Sequence, residues 1–256
     1  MPQLSWDLHV HPAPSSVPRW GTGAEVRAAA ARAGVRGFVW KSHEEHTAAR
    51  ARALPPGEPV VVGSASLNDW ASVTDVAAAV ADGARWIWGP SRAPGLRLGW
   101  DLPLPTWWPA LLEALDADRP RLVFATGHTD AAGRRAMAEA ARTNGDLCSV
   151  THALRIPPGE AEELARLGCL LEVDLYTTAH PVPGLKSLDL VAGLARLAQA
   201  GLPVYITTDA GQAEVGDPYR FSSVMLAALA ERIGEDAVVA AAGTGPTGVA
   251  TALGLA

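Results

Sequence analysis

Lysine is nearly missing from this chain: Lys41 and Lys186 are the only two among 21 basic residues. The net charge is −6 and no basic run occurs. The positive footprint of a nucleic-acid-binding protein is therefore lacking, as is the basic amphipathic stretch of a membrane-surface protein. No apolar stretch approaches the roughly 18–20 residues of a membrane span. The opening residues carry no charged-then-apolar leader, so a cytoplasmic location is the expectation. Cysteine is scarce too. Cys148 and Cys169 both lie in apolar, strand-like runs and read as reduced core residues, consistent with a reducing cytosol.

What is present is a long alternation. The 256 residues are 48% hydrophobic, enough for a sizeable core. Eight short apolar runs stand out: Leu4–His11, Gly37–His43, Pro59–Leu67, Ala84–Gly89, Arg121–His128, Asp146–His152, Cys169–Tyr176 and Pro203–Asp209. Their near-continuous apolar character suits parallel strands covered on both faces. Between them lie stretches with helical spacing, such as Ala24–Ala33, Thr74–Asp82, Asp130–Thr143, Gly159–Leu167 and Leu188–Ala200. Gly34, Gly83, Gly145, Gly168 and Gly201 follow as stop signals. Strand–helix alternation on this scale predicts an α/β fold of the (β/α)8 TIM-barrel type, a single domain over residues 1–256. The competing open, doubly wound sheet wants a glycine-rich phosphate turn after its first strand. The chain has His-Pro-Ala-Pro-Ser-Ser there. Glu235–Ala256 reads as one or two closing helices, and Pro90–Pro109, with Arg92, Trp100 and two further tryptophans, reads as a lid or pocket wall.

The chemistry gathers at one end of this barrel. His9 and His11 are two apart on the first strand, so both imidazoles leave one face, about 6–7 Å apart at the backbone. That spacing lets two ring nitrogens converge on one metal ion. His43, His128, His152 and Asp209 fall at the ends of later strands, on the face where a barrel carries its working residues. Imidazoles with a carboxylate suit Zn2+, with Mn2+ and Fe2+ as alternatives.

The motifs Asp-Leu-His9-Val-His11, Thr-Gly-His128, Thr-His152 and Thr-Thr-Asp209-Ala-Gly resemble those of the metal-dependent amidohydrolase superfamily. More narrowly, His-Pro-Ala-Pro-Ser-Ser-Val-Pro-Arg19, Lys41-Ser-His43 and Asp209-Ala-Gly-Gln212 are similar to an amidohydrolase-related family of unassigned function. The resemblance implies that His9, His11 and Asp209 hold one metal. It gives His128 and His152 to a second metal, or to a substrate if only one ion binds. It makes Asp209 the group that takes a proton from a metal-activated water. One departure stands out. Binuclear members usually carry a bridging, CO2-carbamylated Lys or a Glu on the fourth strand, and here that strand reads Arg-Trp-Ile-Trp-Gly. Three roles stay open for Lys41: a metal bridge supplied from the second strand, a cationic substrate contact, or a salt-bridge partner. Glu172, on the same strand face as Asp174, is a candidate to bridge metals or to accept a bond from a ligand histidine. His43, Arg19, Arg92 and Trp100 are the candidate substrate contacts. Arg155 and Arg220 are further loop arginines at the same face, and His46 and His180 are left out of the ligand set.

The leading expectation is a metal-dependent hydrolase of a small amide, lactone, cyclic imide or ester. A lyase, a decarboxylase or a phosphoesterase on the same barrel is the alternative, and a metal-binding scaffold without chemistry is the non-enzyme reading. The expected partner is a small molecule, not nucleic acid or membrane, and loop tryptophans leave room for a homo-oligomer.

Overall fold

The computed structural model describes residues 2–93, 97–176 and 189–256. His180, Lys186 and Leu188 lie outside the described residues. The strands are β1 (Asp7–Val10), β2 (Gly37–Trp40), β3 (Val60–Val62), β4 (Ser64–Ser66), β5 (Trp86–Trp88), β6 (Arg92–Ala93), β7 (Arg97–Leu98), β8 (Val123–Ala125), β9 (Leu147–Val150), β10 (Leu170–Asp174) and β11 (Val204–Thr207). The two-residue strands β6 and β7 pair antiparallel, inside the long loop expected at Pro90–Pro109. The remaining strands pair in parallel, in the orders β1-β2-β3 and β4-β5-β8-β9-β10-β11.

Two seams turn these runs into a ring. At the first, β3 and β4 are halves of one strand broken at Gly63: β3 pairs with β2, and β4 with β5. A Cβ on Gly63 would stand 2.4 Å from Ala48 Cα, so a side chain there would drive the helix Ala48–Ala53 off the strand. Hydroxyls span the gap that opens between β2 and β4. Ser64 Oγ and Thr47 Oγ1 donate to Trp40 O at 2.6 and 2.7 Å, and Ser66 Oγ donates to Ser42 O at 2.7 Å. At the second seam, Asp209 N donates to His9 O and His11 N donates to Ala210 O, both at 2.8 Å. Asp7 clamps the same seam from below. Its buried carboxylate accepts from Thr207 Oγ1 at 2.6 Å and from Thr208 Oγ1 at 2.7 Å. Eight strand units thus close into the barrel that the alternation predicts.

The helices begin and end where local chemistry dictates. Thr22 and Ser72 close reciprocal capping boxes with Glu25 and Asp75 at the helices Gly23–Ala33 and Val73–Ala81. Gly34 and Gly145 end helices in the left-handed conformation that a side chain disfavours. The helix expected at Leu188–Ala200 runs from Leu190 to Gln199, capped by Asp189. Arg220, expected on a loop, stands instead in the first turn of the helix Pro218–Ile233, where Pro218 and the Asp217 cap start the helix early.

Strand alternation sorts the core into two parts. Inside the barrel, Trp6, Leu8, Val39, Val62, Trp86, Trp88, Val123, Ala125 and Tyr205 pack against Val249, Ala250 and Leu253 of the closing tail. The tail helix Gly245–Ala252 therefore plugs the end of the barrel away from the histidines. Outside, Val10, Phe38, Ile87, Phe124, Leu171 and Ile206 face the helices. One irregularity bears directly on the site. Asp7 pairs with Phe38 and Val10 with Trp40, so β1 spends three residues where β2 spends two. That bulge resets the alternation and re-aims the strand end. Trp6 and Leu8 fill the interior below it, and His9 and His11 share the interior above it.

Candidate metal centre

His9 Nε2, His11 Nε2 and Asp209 Oδ1 form a nearly equilateral triangle. The two imidazole nitrogens are 3.2 Å apart, and each lies 3.1 Å from the carboxylate oxygen. Four ligands at roughly 2.0–2.1 Å around a tetrahedral ion stand about 3.3–3.4 Å from one another. The three donor atoms therefore fit three corners of such a shell. All three residues are buried, and His11 and Asp209 line a cavity of about 400 Å3, leaving the fourth corner open to it. His152, Asp174 and Asp209 make a second group whose donor atoms lie within 4.8 Å of one another, sharing Asp209 with the first.

Behind the donors, hydrogen bonds choose the tautomers. His9 Nδ1 donates to Glu172 Oε1 at 2.9 Å, which leaves the Nε2 lone pair for a cation. Tyr205 OH donates to the other oxygen, Glu172 Oε2, at 3.0 Å, and Ser149 Oγ lies 2.7 Å from the same phenol. Glu172 thus stands behind His9, with both oxygens engaged, rather than beside the donor triangle. His152 Nδ1 pairs with Asp174 Oδ2 at 2.7 Å, and its Nε2 faces Asp209 Oδ2 at 4.0 Å. His128 Nδ1 donates to Gly99 O at 2.7 Å, so its Nε2 is likewise left as an acceptor. His43 Nδ1 meets Ser91 Oγ at 2.8 Å, and its ring stacks on His11 with centroids 4.7 Å apart. Carboxylates and carbonyls on the far nitrogen of a ligand histidine fix its ring and raise its basicity. Glu172→Gln should weaken metal affinity about 10–100-fold without unfolding the barrel. Equilibrium metal titration of the variant checks this, and unchanged affinity would leave Glu172 without that role.

Burial sets the charge states. Desolvation holds His9, His11, His43 and His128 well below the usual imidazole range, with the positive charge of Lys41 or Arg19 adding to it. They are neutral lone-pair donors at neutral pH. Burial pushes Glu172 up to about 7 and Asp209 well above the ordinary carboxylate range, with the other buried carboxylates adding to both. A cation held at the triangle would favour the ionised form of both. Lys41 is buried, and desolvation draws its amine down to about 8, against the attraction of Asp209 and Glu172. Its Nζ rests 4.3 Å from the ring centroid of Trp88. The same ring lies 4.5 Å from His9, so Trp88 occupies the fourth-strand position facing the site.

Two of the site residues hold costly backbone. His152 and Asp209 have φ of +53° and +47°, and Asp101 is the third non-glycine with positive φ among the described residues. Such residues cluster where a side chain must be aimed regardless of strain. Asp101 sits in the long loop beside Trp100, which lies flat on His128 at 3.9 Å with 4° between the planes. Arg155 approaches Trp100 at 5.5 Å. Arg19, Arg92 and Trp100 all line the cavity, with His43 and Lys41. His46 lies apart, half-buried against Trp70. Sequence reasoning missed Trp88, Tyr205, Ser91 and Asn68, whose Nδ2 donates to His43 O at 2.9 Å. For Trp88 and Tyr205 the period-two pattern of their strands was the available signal.

The fold matches that of known proteins. A family of unknown function, DUF6282, matches residues 5–94. A search of curated proteins found no match. Among solved structures, a phosphotriesterase from Mycobacterium tuberculosis is 18% identical, with 95% of this chain and 94% of that one aligned at a TM-score of 0.57. A TatD homologue from Escherichia coli K12 is 17% identical over 97% and 96% of the two chains, also at 0.57. The chain folds as a parallel α/β barrel of the kind these structures have. A lactonase from Listeria monocytogenes has the same fold, at 11% identity over 93% and 92% of the chains and a TM-score of 0.55. Within this barrel the strand-end histidines and Asp209 stand at one mouth, and no helix among the described residues is long and apolar enough to cross a membrane.

Proposed function

We propose that this protein is a metal-dependent hydrolase of a small molecule, cleaving an amide, lactone, cyclic imide or ester. The observation that carries the reading is the triangle of His9, His11 and Asp209 donors, with one corner open to the cavity. Closed donor sets serve structure, whereas three protein ligands with an open position serve catalysis. A divalent ion held there, with zinc the first choice for two imidazoles and a carboxylate, activates water and polarises a carbonyl. The residues divide the remaining work. Glu172 and Asp174 keep His9 and His152 in the productive tautomer. Asp209 Oδ1 would hold the ion, and Oδ2, turned towards His152, would take a proton from the attacking water and return it to the leaving group. Lys41 holds positive charge near the reacting atoms, and His43 and Trp100 wall the substrate. His128 and His152 offer Nε2 lone pairs to a second ion or to a substrate N–H or O–H.

A phosphoesterase is the second reading, favoured by Arg19 and Arg92 on the cavity wall and by the phosphotriesterase among the structural neighbours. Purified protein supplemented with zinc should hold at least one ion per chain. A chelator should abolish turnover, and zinc should restore it. A panel of lactones, hydantoin-like rings, aryl esters and phosphoesters separates the two readings, and a CO2-release assay detects decarboxylation. Elemental analysis below about 0.2 metal per chain after supplementation would remove the metal enzyme altogether.

A further inference from the structure

We propose that the substrate carries a negatively charged head group with a hydrogen-bond donor beside it, recognised by Arg19 and Gln212 at the cavity mouth. The proposal rests on the hydrolase reading of the site and names the class of compound the site takes.

Arg19 is fixed relative to the donor triangle. It forms an antiparallel bridge with Gln212, three residues after Asp209, and the neighbouring Trp20 N donates to Gly211 O at 2.8 Å. Gln212 Nε2 donates to Asp209 O at 3.3 Å, which sets the amide so that Oε1 is the free acceptor. Among the described residues, Gln212 Oε1 and Arg19 Nε are both buried without a hydrogen-bond partner. Both residues line the cavity. A buried donor and a buried acceptor left without partners side by side cost stability unless a ligand meets them.

The charge around them has the same direction. Arg19, Lys41 and Arg92 line one cavity with the carboxylates Asp209 and Glu214, and Asp209 belongs to the donor triangle. Glu44 accepts from Ser16 N at 2.8 Å and from Ser16 Oγ at 2.5 Å, pinning the first loop. Glu214 accepts from Tyr176 OH at 3.1 Å. A guanidinium reads a carboxylate or phosphate with parallel N–H bonds, so an anionic head suits the Arg19 guanidinium, whose Nε–H has no partner in the protein. A donor next to that head, an N–H or O–H, meets Gln212 Oε1.

The test uses equilibrium binding, so it does not depend on turnover. The probes are 3-phenylpropionate, 2-phenylethylphosphonate and the neutral 3-phenylpropionamide. Each is titrated against zinc-loaded and chelator-treated protein, because an anion also ligates zinc directly. At least one anion should bind about tenfold more tightly than the amide in both forms, and Arg19→Gln should erase the difference. Arg19→Lys should retain part of it, which guards against a misfolded Gln variant. Tighter binding of the phosphonate assigns phosphorylated compounds, and tighter binding of the propionate assigns carboxylic acids. An anion preference present only with zinc, or surviving intact in Arg19→Gln, would overturn the proposal while leaving the hydrolase in place. Anion binding at Arg19 with no hydrolysis of any panel compound would instead sink the hydrolase reading and keep the subsite.

Discussion

Asp209→Asn is expected to lower kcat by about 10^3-fold or more while leaving part of the metal bound. The substitution isolates chemistry from folding unusually well. Asn has the shape of Asp, and it is among the few residues that tolerate the left-handed backbone found here at φ +47°. The backbone bond from residue 209 N to His9 O is untouched, so the seam between β1 and β11 stays closed. What changes is the carboxylate. The donor triangle keeps His9 and His11 but exchanges an anionic oxygen for a weaker neutral one. The oxygen facing His152 can no longer hold a proton. Loss of a general base alone costs typically 10^2–10^4-fold. The check pairs kcat with elemental analysis on the same sample, so that activity is expressed per bound ion. Near-normal turnover per ion would take proton transfer away from Asp209.

The second large effect is structural. Gly211→Ala should destabilise the barrel by roughly 3 kcal/mol or more, because backbone strain and a hard clash add. Gly211 has φ +128°, a conformation side chains rarely adopt, and an added Cβ would sit 2.2 Å from His11 O and 2.7 Å from His11 C. Neither neighbour is a flexible side-chain tip. Relief requires moving the β1 strand end, and with it His11, away from Asp209. The melting temperature should therefore fall by roughly 6–12 °C for a chain of this size, and zinc affinity should fall with it. Gly216→Ala is the control. Its φ is +74°, and an added Cβ meets nothing within 4 Å, so it should cost only about 1–2 kcal/mol. Thermal melts of both variants, with and without zinc, make the comparison. Equal losses would mean that the seam is not what holds the metal residues together.

His9-x-His11 was legible in the sequence because a strand's period of two is local: any extended segment sends both imidazoles to one side. The same logic brought out Lys41 with His43 and Glu172 with Asp174. It could not assign them partners. Glu172 faces His9 and Tyr205 across the barrel, and Asp174 faces His152, so which carboxylate serves which imidazole depends on strand tilt and closure. The β1 bulge was invisible for a related reason. Its extra residue exists only relative to the register of β2. Trp88 lies in an apolar strand run, and only the fold makes it the ring between Lys41 and His9.

The sequence by itself determined the barrel and the placement of His9, His11, His128, His152 and Asp209 at strand ends. Alternating strand and helix patterns are local, and parallel strands with eight such units have few other ways to bury both faces. Only the tertiary structure decided the 3.1–3.2 Å triangle, the tautomer-setting partners and the Arg19–Gln212 corner. Those are contacts between segments up to 200 residues apart, and their distances are set by ring closure and side-chain packing, which no local pattern encodes.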